Sequence, residues 1–179
     1  MSSVVADLTI RRARESDAEI LCNAEREIAR TPGRLISVPD ELQISNFAAK
    51  IRDLHAAGTY LIAERDGVIV AHAFLDFVST LSRIKHVRCL NMVVHTGHAG
   101  QGIGTALLRA LQSIATQAGV ERIELRVRAK NVAAVNLYKK CGFEEECTSL
   151  RRIKLEDGTY LDDMSMVWFA PPKNEPVSL

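Results

Sequence analysis

The stretch Leu90-Asn91-Met92-Val93-Val94-His95-Thr96-Gly97-His98-Ala99-Gly100-Gln101-Gly102-Ile103-Gly104-Thr105 decides how this 179-residue chain is read. Its apolar opening, Leu90 to Val94, has the character of a strand, and a helical apolar pattern runs from Ile103 to Gln117. Glycines between the two let backbone N–H groups close around an anion, and the start of the following helix adds partial positive charge. The turn is therefore expected to hold phosphate.

Spacing separates it from two better-known phosphate loops. A P-loop needs Lys-Ser or Lys-Thr after its last glycine, whereas Gly104 is followed by Thr105 and Ala106. A dinucleotide fingerprint needs G-x-G-x-x-G, and its last position falls on Thr105 or Leu107, depending on where the count starts. A second element follows downstream: Asn131-Val132-Ala133-Ala134-Val135-Asn136-Leu137-Tyr138-Lys139-Lys140-Cys141-Gly142-Phe143. Together the two resemble the signature of the GNAT superfamily of acetyl-CoA-dependent N-acetyltransferases. Gly102 and Gly104 match its Q/R-x-x-G-x-G/A loop, and Asn131 to Phe143 match N-x-x-A-x-x-L-Y-x-x-x-G-F. The resemblance covers Lys85 to Phe143 and departs at Ala99, where the family has Gln or Arg, a loss of one side chain but of no backbone donor.

Composition agrees with a single soluble domain. The length suits one domain over residues 1–170, with a mobile tail over 171–179 that holds Pro171, Pro172 and Pro176. Hydrophobic residues make up 47% and charged residues 25%, and no apolar run approaches the ~20 residues of a membrane span. Met1 to Asp7 lack the basic start and long apolar stretch of a secretory signal, so a cytoplasmic location is expected. Cys22, Cys89, Cys141 and Cys147 have no C-x-x-C spacing and read as free thiols, with no metal site. A net charge of +1 supplies no basic field for nucleic acid.

Patterning places strands at Leu8 to Arg12, Tyr60 to Glu64, Val68 to Leu75, His86 to Val94, Ile123 to Arg128, Cys147 to Leu155 and Tyr160 to Phe169. Asp66-Gly67 and Asp157-Gly158 are hairpin turns. Ser16-Asp17-Ala18-Glu19 is a capping box that opens a helix carrying Leu21, Ala24 and Ile28, ended by Pro32 and Gly33. Ile44, Phe47, Ile51 and Leu54 mark a second helix that stops before Gly58. Ala106, Leu107, Ala110, Leu111 and Ile114 form the buried stripe of a third, and the fourth follows Asn131 and ends at Gly142. This β-α-α-β-β-β-α-β-α-β-β order is the one the resemblance implies. The implied fold is α/β (α+β), a mixed and mostly antiparallel sheet of about seven strands, with helices on both faces and strands four and five splayed.

Acetyl transfer from a thioester to an amine requires a held cofactor, a stabilised oxyanion, a base for the amine and an acid for the departing sulfur. By resemblance, the backbone of Gly100, Gln101, Gly102, Ile103, Gly104 and Thr105 holds the pyrophosphate of acetyl-CoA. The backbone of Met92, Val93 and Val94 holds the pantetheine arm, with an amide near Val93 as oxyanion donor. Asn131 reaches the pantetheine and also suits a helix N-cap. Tyr138 falls on the family's general-acid position and touches the cofactor thiol.

Some bacterial members that acetylate protein N-termini carry a glutamate base five residues before the asparagine; here that position is Arg126. Glu124 on the same strand face, His86 at the start of the fourth strand and Glu25 on the first helix all stay open as the base. Glu25, Arg88 and Arg126 are the candidate acceptor contacts. Two guanidinium groups would suit a small anionic amine such as an amino acid, while salt bridges to Glu124 or Asp76 are the competing role. His95 and His98 flank the glycine turn within reach of phosphate. Cys141 lies near Tyr138 with no base beside it, so direct transfer without an acyl-enzyme is expected. The implied partners are a small-molecule amine and, since homodimers are common in the family, a second copy of the chain. A non-catalytic acyl-CoA sensor of the same fold is the alternative, because Ala99 and Arg126 both depart from active relatives.

Overall fold

A computed structural model describes residues 8–55 and 59–172. The expected end of the second helix at Gly58 and the tail over 173–179 lie outside them. The elements are β1 (Leu8–Arg12), α1 (Ala18–Ala29), α2 (Ile44–His55), β2 (Tyr60–Arg65), β3 (Val68–Phe77), β4 (Val87–Val94), α3 (Ile103–Gln117), β5 (Arg122–Arg128), α4 (Val132–Lys140), β6 (Glu144–Lys154) and β7 (Tyr160–Phe169). All seven strands form one sheet in the order β1-β2-β3-β4-β5-β7-β6. The β4–β5 pair alone is parallel, because α3 carries the chain back to the same edge before β5 begins.

Each face of the sheet has its own core. On one face Leu107, Leu108, Leu111 and Ala115 of α3 pack with Leu75, Leu90, Ile123, Leu125 and Phe143. On the other, Leu21 of α1 and Ile51 and Leu54 of α2 pack on Tyr60, Ile62 and Ile69. Each fully buried Leu or Ile contributes about 1.5–3 kcal/mol, so the two layers fix the helices to the sheet. The stripe of α3 is rotated from the expected one. Leu108 and Ala115 are fully enclosed, whereas Ala110 and Ile114 are only partly buried and Ala106 is partly exposed. Likewise Ile44 is exposed, because α2 seats its second half, Ile51 and Leu54, against the core. β6 starts at Glu144, three residues ahead of the expected Cys147, paired to Val167 of β7.

The start of α1 is organised by Asp17, not by the expected Ser16–Glu19 box. A 3-10 turn, Glu15–Asp17, leads into the helix, and the Asp17 carboxylate reaches back to accept the Arg14 N–H at 2.7 Å. It also accepts a two-pronged pair from Arg11 at 2.8 and 3.0 Å, while the same guanidinium donates to Glu64 on β2. Burial by itself raises the pKa of Asp17, but the Arg11 and Arg14 hydrogen bonds overcome it and hold the carboxyl below its ordinary range. A lowered carboxyl pKa stabilises the fold above the unfolded value, about 3.9, and that contribution fades as pH falls through the native value. Asp17→Asn should therefore lower unfolding free energy by about 1.5–3 kcal/mol at pH 7 in urea titrations, with the deficit shrinking below about pH 4.

Candidate active site

β4 and β5 pair only through Val87↔Arg122, Arg88↔Ile123 and Cys89↔Glu124. Beyond Cys89 both strands continue, to Val94 and Arg128, with no ladder between them. Their facing edges thus leave backbone donors and acceptors for a partner that enters the gap. A cleft of about 490 Å³ opens there, walled by Met92, Val93 and Val94 on one side and by Asn131, Leu137 and Tyr138 on the other.

The glycine turn closes one end of this cleft. Gly102 is the left-handed N-cap of α3 (φ 78°), a conformation a side chain would strain. The first bond back into the helix is Ala106 N–H to Gly102 C=O, so the amides of Ile103, Gly104 and Thr105 precede the ladder, and all three residues line the cleft. Gly104 has a second role: a Cβ there would come within 2.9 Å of Leu137 Cδ2, so its absence lets α3 start against α4. The Gln101 side chain turns away to the Gly97 carbonyl and to Arg65 on β2, leaving its backbone as its contribution to the turn. These groups fit a pyrophosphate at a helix N-terminus and an extended arm beside β4.

Asn131 takes up its expected place as the helix cap. Its Oδ1 accepts the Ala134 N–H at 3.2 Å as the cap of α4, and the residue lines the cleft. Tyr138 is 7% exposed, with its ring packed on Phe143 at 5.8 Å. Burial pushes its phenol up to about 12, so at neutral pH it holds a proton it can donate. Burial also pushes the Cys141 thiol up, which leaves it a poor nucleophile.

Of the polar candidates, Glu124 belongs to the paired end of β4–β5 and contacts Arg122 at 3.4 Å. Arg88 stacks over Phe77 at 4.1 Å and donates to the Lys85 and Val87 carbonyls. Register puts it on the sheet face of Leu90 and Ile123, opposite the face that carries Arg126, which lies 3.7 Å from Asp163. His86 uses its carbonyl to accept the Glu121 and Arg122 amides. None of these four lines the cleft. His95, expected near phosphate, is instead buried, with its ring against His72 and the Ile69 carbonyl, while His98 does line the cleft. Glu25 meets His72 at 2.9 Å. His72, on β3, carried no sequence signal beyond being a polar residue in an apolar strand.

A second cavity of about 470 Å³ shares Arg34, Asn131 and Ala133 with the first and is lined also by Arg128, Lys130 and Asp162. Beside it Asp163, fully buried, faces Arg128 at 2.9 Å, Arg152 at 3.5 Å and Arg126 at 3.7 Å. No group of three or more metal-ligating side chains occurs among the described residues, and no helix there is long and apolar enough to cross a membrane.

Comparison with known proteins agrees with this geometry. Residues 22–143 match the family model described as the acetyltransferase (GNAT) family. The L-amino acid N-acetyltransferase AaaT of Escherichia coli is 35% identical over 103 residues, which cover 57% of this chain and 62% of that relative, slightly less than two thirds of its length. An N-alpha-acetyltransferase of Sulfurisphaera tokodaii is 28% identical over 76% of this chain and 80% of its own. Among solved structures, the acetyltransferase yncA of Salmonella typhimurium, determined with its cofactor acetyl-CoA, superposes with a TM-score of 0.83 at 20% identity, covering 96% of this chain and 99% of that one. A phosphinothricin acetyltransferase of Sinorhizobium meliloti in complex with acetyl-CoA gives 0.82 at 18% identity, over 93% and 94% of the two chains. The glycine turn, the open strand pair and the family match together place this chain in the GNAT family of acetyl-CoA-dependent acetyltransferases.

Proposed function

We propose that the protein transfers the acetyl group of acetyl-CoA directly to the primary amine of a small molecule that also bears an anionic group, an amino acid being the simplest case. The observation that carries this reading is the arginine cluster next to the cleft. Three guanidinium groups surround the one buried carboxylate of Asp163, which by itself balances only one of them. The Arg128 Nε is buried without a partner, and the adjoining cavity carries Arg34, Arg128 and Lys130 against one carboxylate, Asp162. A carboxylate entering there gains charge-assisted hydrogen bonds, whereas a polyamine meets repulsion. The relative AaaT carries L-amino acids in its name, in keeping with this acceptor class.

In the proposed reaction, the backbone of Met92 to Val94 aligns the pantetheine arm, and an amide near Val93 donates to the thioester oxygen as it becomes an oxyanion. The amine attacks the carbonyl carbon, and the C–S bond breaks. Tyr138 lies across the gap and gives its proton to the thiolate. A raised phenol pKa suits that task, because the group stays protonated until the sulfur leaves. The four thiols are free, in keeping with a reducing, cytoplasmic setting.

An amine panel assayed by release of free CoA thiol tests the acceptor class. Amino acids should be turned over at least about tenfold faster than polyamines of similar size, and tight acetyl-CoA binding with no turnover of any amine would favour a sensor. Arg126→Gln, at an exposed side chain, should raise the acceptor KM about tenfold, equivalent to about 1.4 kcal/mol, with kcat nearly unchanged. Tyr138→Phe should lower kcat about 100-fold while calorimetry finds acetyl-CoA bound within threefold of the parent. Unchanged turnover would remove Tyr138 from the mechanism.

A further inference from the structure

A line of three contacts, the inner two buried, runs inward from α1. Glu25 Oε1 lies 2.9 Å from His72 Nε2, His72 Nδ1 lies 3.0 Å from His95 Nε2, and His95 Nδ1 lies 3.0 Å from the Ile69 carbonyl oxygen. Three hydrogen bonds need three protons, and two neutral imidazoles bring only two. The direction of the line is fixed at its inner end, because a carbonyl can only accept. His95 must therefore donate from Nδ1, which leaves its Nε2 to accept from His72 Nδ1–H, and the third proton lies between His72 Nε2 and Glu25. Placing the extra charge on His95 is opposed by burial first, and then by His72 and His98; together they push His95 down to about 4 despite the Ile69 bond. The unit thus has a place for one mobile proton at its outer end. Without that proton one of its three bonds is unmade.

That outer end lies beside the cleft. Glu25 is one turn of α1 before Ile28, which lines the cleft, and Glu25 is the most accessible member, at 16% against 1% for the His72 side chain. His72 stands directly opposite Val93 in the β3–β4 register, so the two share a sheet face, and Val93 also lines the cleft. Other ionisable groups around the unit are occupied or silent near neutral pH. Tyr60 on β2 packs against His72 and keeps its proton through burial and the charges of Glu25 and Asp17. Burial likewise keeps Cys22 on α1 a thiol, Arg26 donates to the Leu42 carbonyl, and α2 contributes the ring of Phe47.

We propose that Glu25 is the general base that takes a proton from the acceptor ammonium, that His72 shares this proton, and that His95 holds His72 in the required tautomer. The proposal rests on the acetyl-transfer reading above and adds to it the residue that makes the amine nucleophilic. In the sequence of steps, the ammonium gives one proton to the Glu25–His72 unit and becomes a neutral amine. The new N–C bond forms as the C–S bond breaks, and the thiolate takes the Tyr138 proton. The second proton on the new amide nitrogen restores the tyrosine, and the first leaves Glu25 for solvent. Glu25 touches substrate and is a catalytic residue; His72 and His95 are positioning residues.

The test compares two carboxylate-bearing acceptors: alanine, whose amine is an ammonium at neutral pH, and aminooxyacetate, whose amine is already neutral. In Glu25→Gln the ratio of kcat on alanine to kcat on aminooxyacetate should fall about 100-fold at pH 7, with KM for acetyl-CoA unchanged, because only alanine needs a base. An equal loss on both acceptors would assign Glu25 a structural role and overturn the proposal. Nitrogen-15 spectra of the histidine rings supply a second readout that needs no acceptor. His95 should be the Nδ1–H tautomer at neutral pH, and the His72 Nε2 resonance should move between the parent and Glu25→Gln. An Nε2–H tautomer of His95, or a His72 Nε2 resonance indifferent to Glu25→Gln, would sink the relay. If alanine and aminooxyacetate both fail as substrates of the parent protein, the anionic-acceptor reading falls, and the ring spectra alone decide whether the relay exists.

Discussion

The protein depends on a ladder that stops early. β4 and β5 run parallel, yet they exchange hydrogen bonds only at their first three residue pairs and then part. Buried backbone groups left without partners cost about 1–3 kcal/mol each, so a split inside a sheet persists only where something else holds the strands apart. Here β4 is paired along its other edge to β3, and β5 to β7 over seven residues. Val127 is anchored in the same core as Ile103, Leu107 and Val135. With both strands anchored on their outer edges, the inner edges stay available to a linear ligand, and the cleft follows from the topology.

The two faces of the sheet divide the work. On the α3 and α4 face, apolar packing is nearly continuous and aligns the two helix starts that border the cleft, Gly102 and Asn131. On the α1 and α2 face the apolar core is smaller, and it accepts polar groups that a stability argument alone would exclude: His72 at 1% exposure, His95 at 8% and Tyr60 with an unpartnered hydroxyl. The two histidines are tolerable because they are bonded to one another along the line from Glu25 to Ile69, whereas the Tyr60 hydroxyl stays unpartnered beside them. Asp163 follows the same logic with arginines, and it turns the outer part of that face into a positively charged wall.

How much of this was legible beforehand differs by the kind of signal. The glycine turn, the start of α3, Asn131 and Tyr138 were all readable, because each depends on local backbone requirements or on a motif of fixed spacing. Every expected strand and helix exists, and the boundaries that fall within the described residues shift by no more than three residues. The misplaced features were those decided by neighbours distant in the chain. The Ser16–Glu19 capping box lost to Asp17, whose carboxylate is claimed by Arg11 and Arg14. Arg88 was paired in expectation with Arg126, but the β4–β5 register sets Arg88 beside Ile123, on the sheet face opposite Arg126. His72 passed unnoticed because a lone histidine in an apolar strand carries no spacing signature.

The amino-acid order by itself determined the element sequence, the glycine turn and the capped helix that faces it, since glycine torsions, caps and apolar periodicity act over a few residues. Tertiary structure alone decided where the ladder breaks, which arginines gather on Asp163, and that Glu25, His72 and His95 join in one line. Those three residues span 71 positions (95 − 25 + 1) and lie on α1, on β3 and just past β4. Only sheet register and helix packing bring such distant side chains to hydrogen-bonding distance, and neither is written in any local pattern.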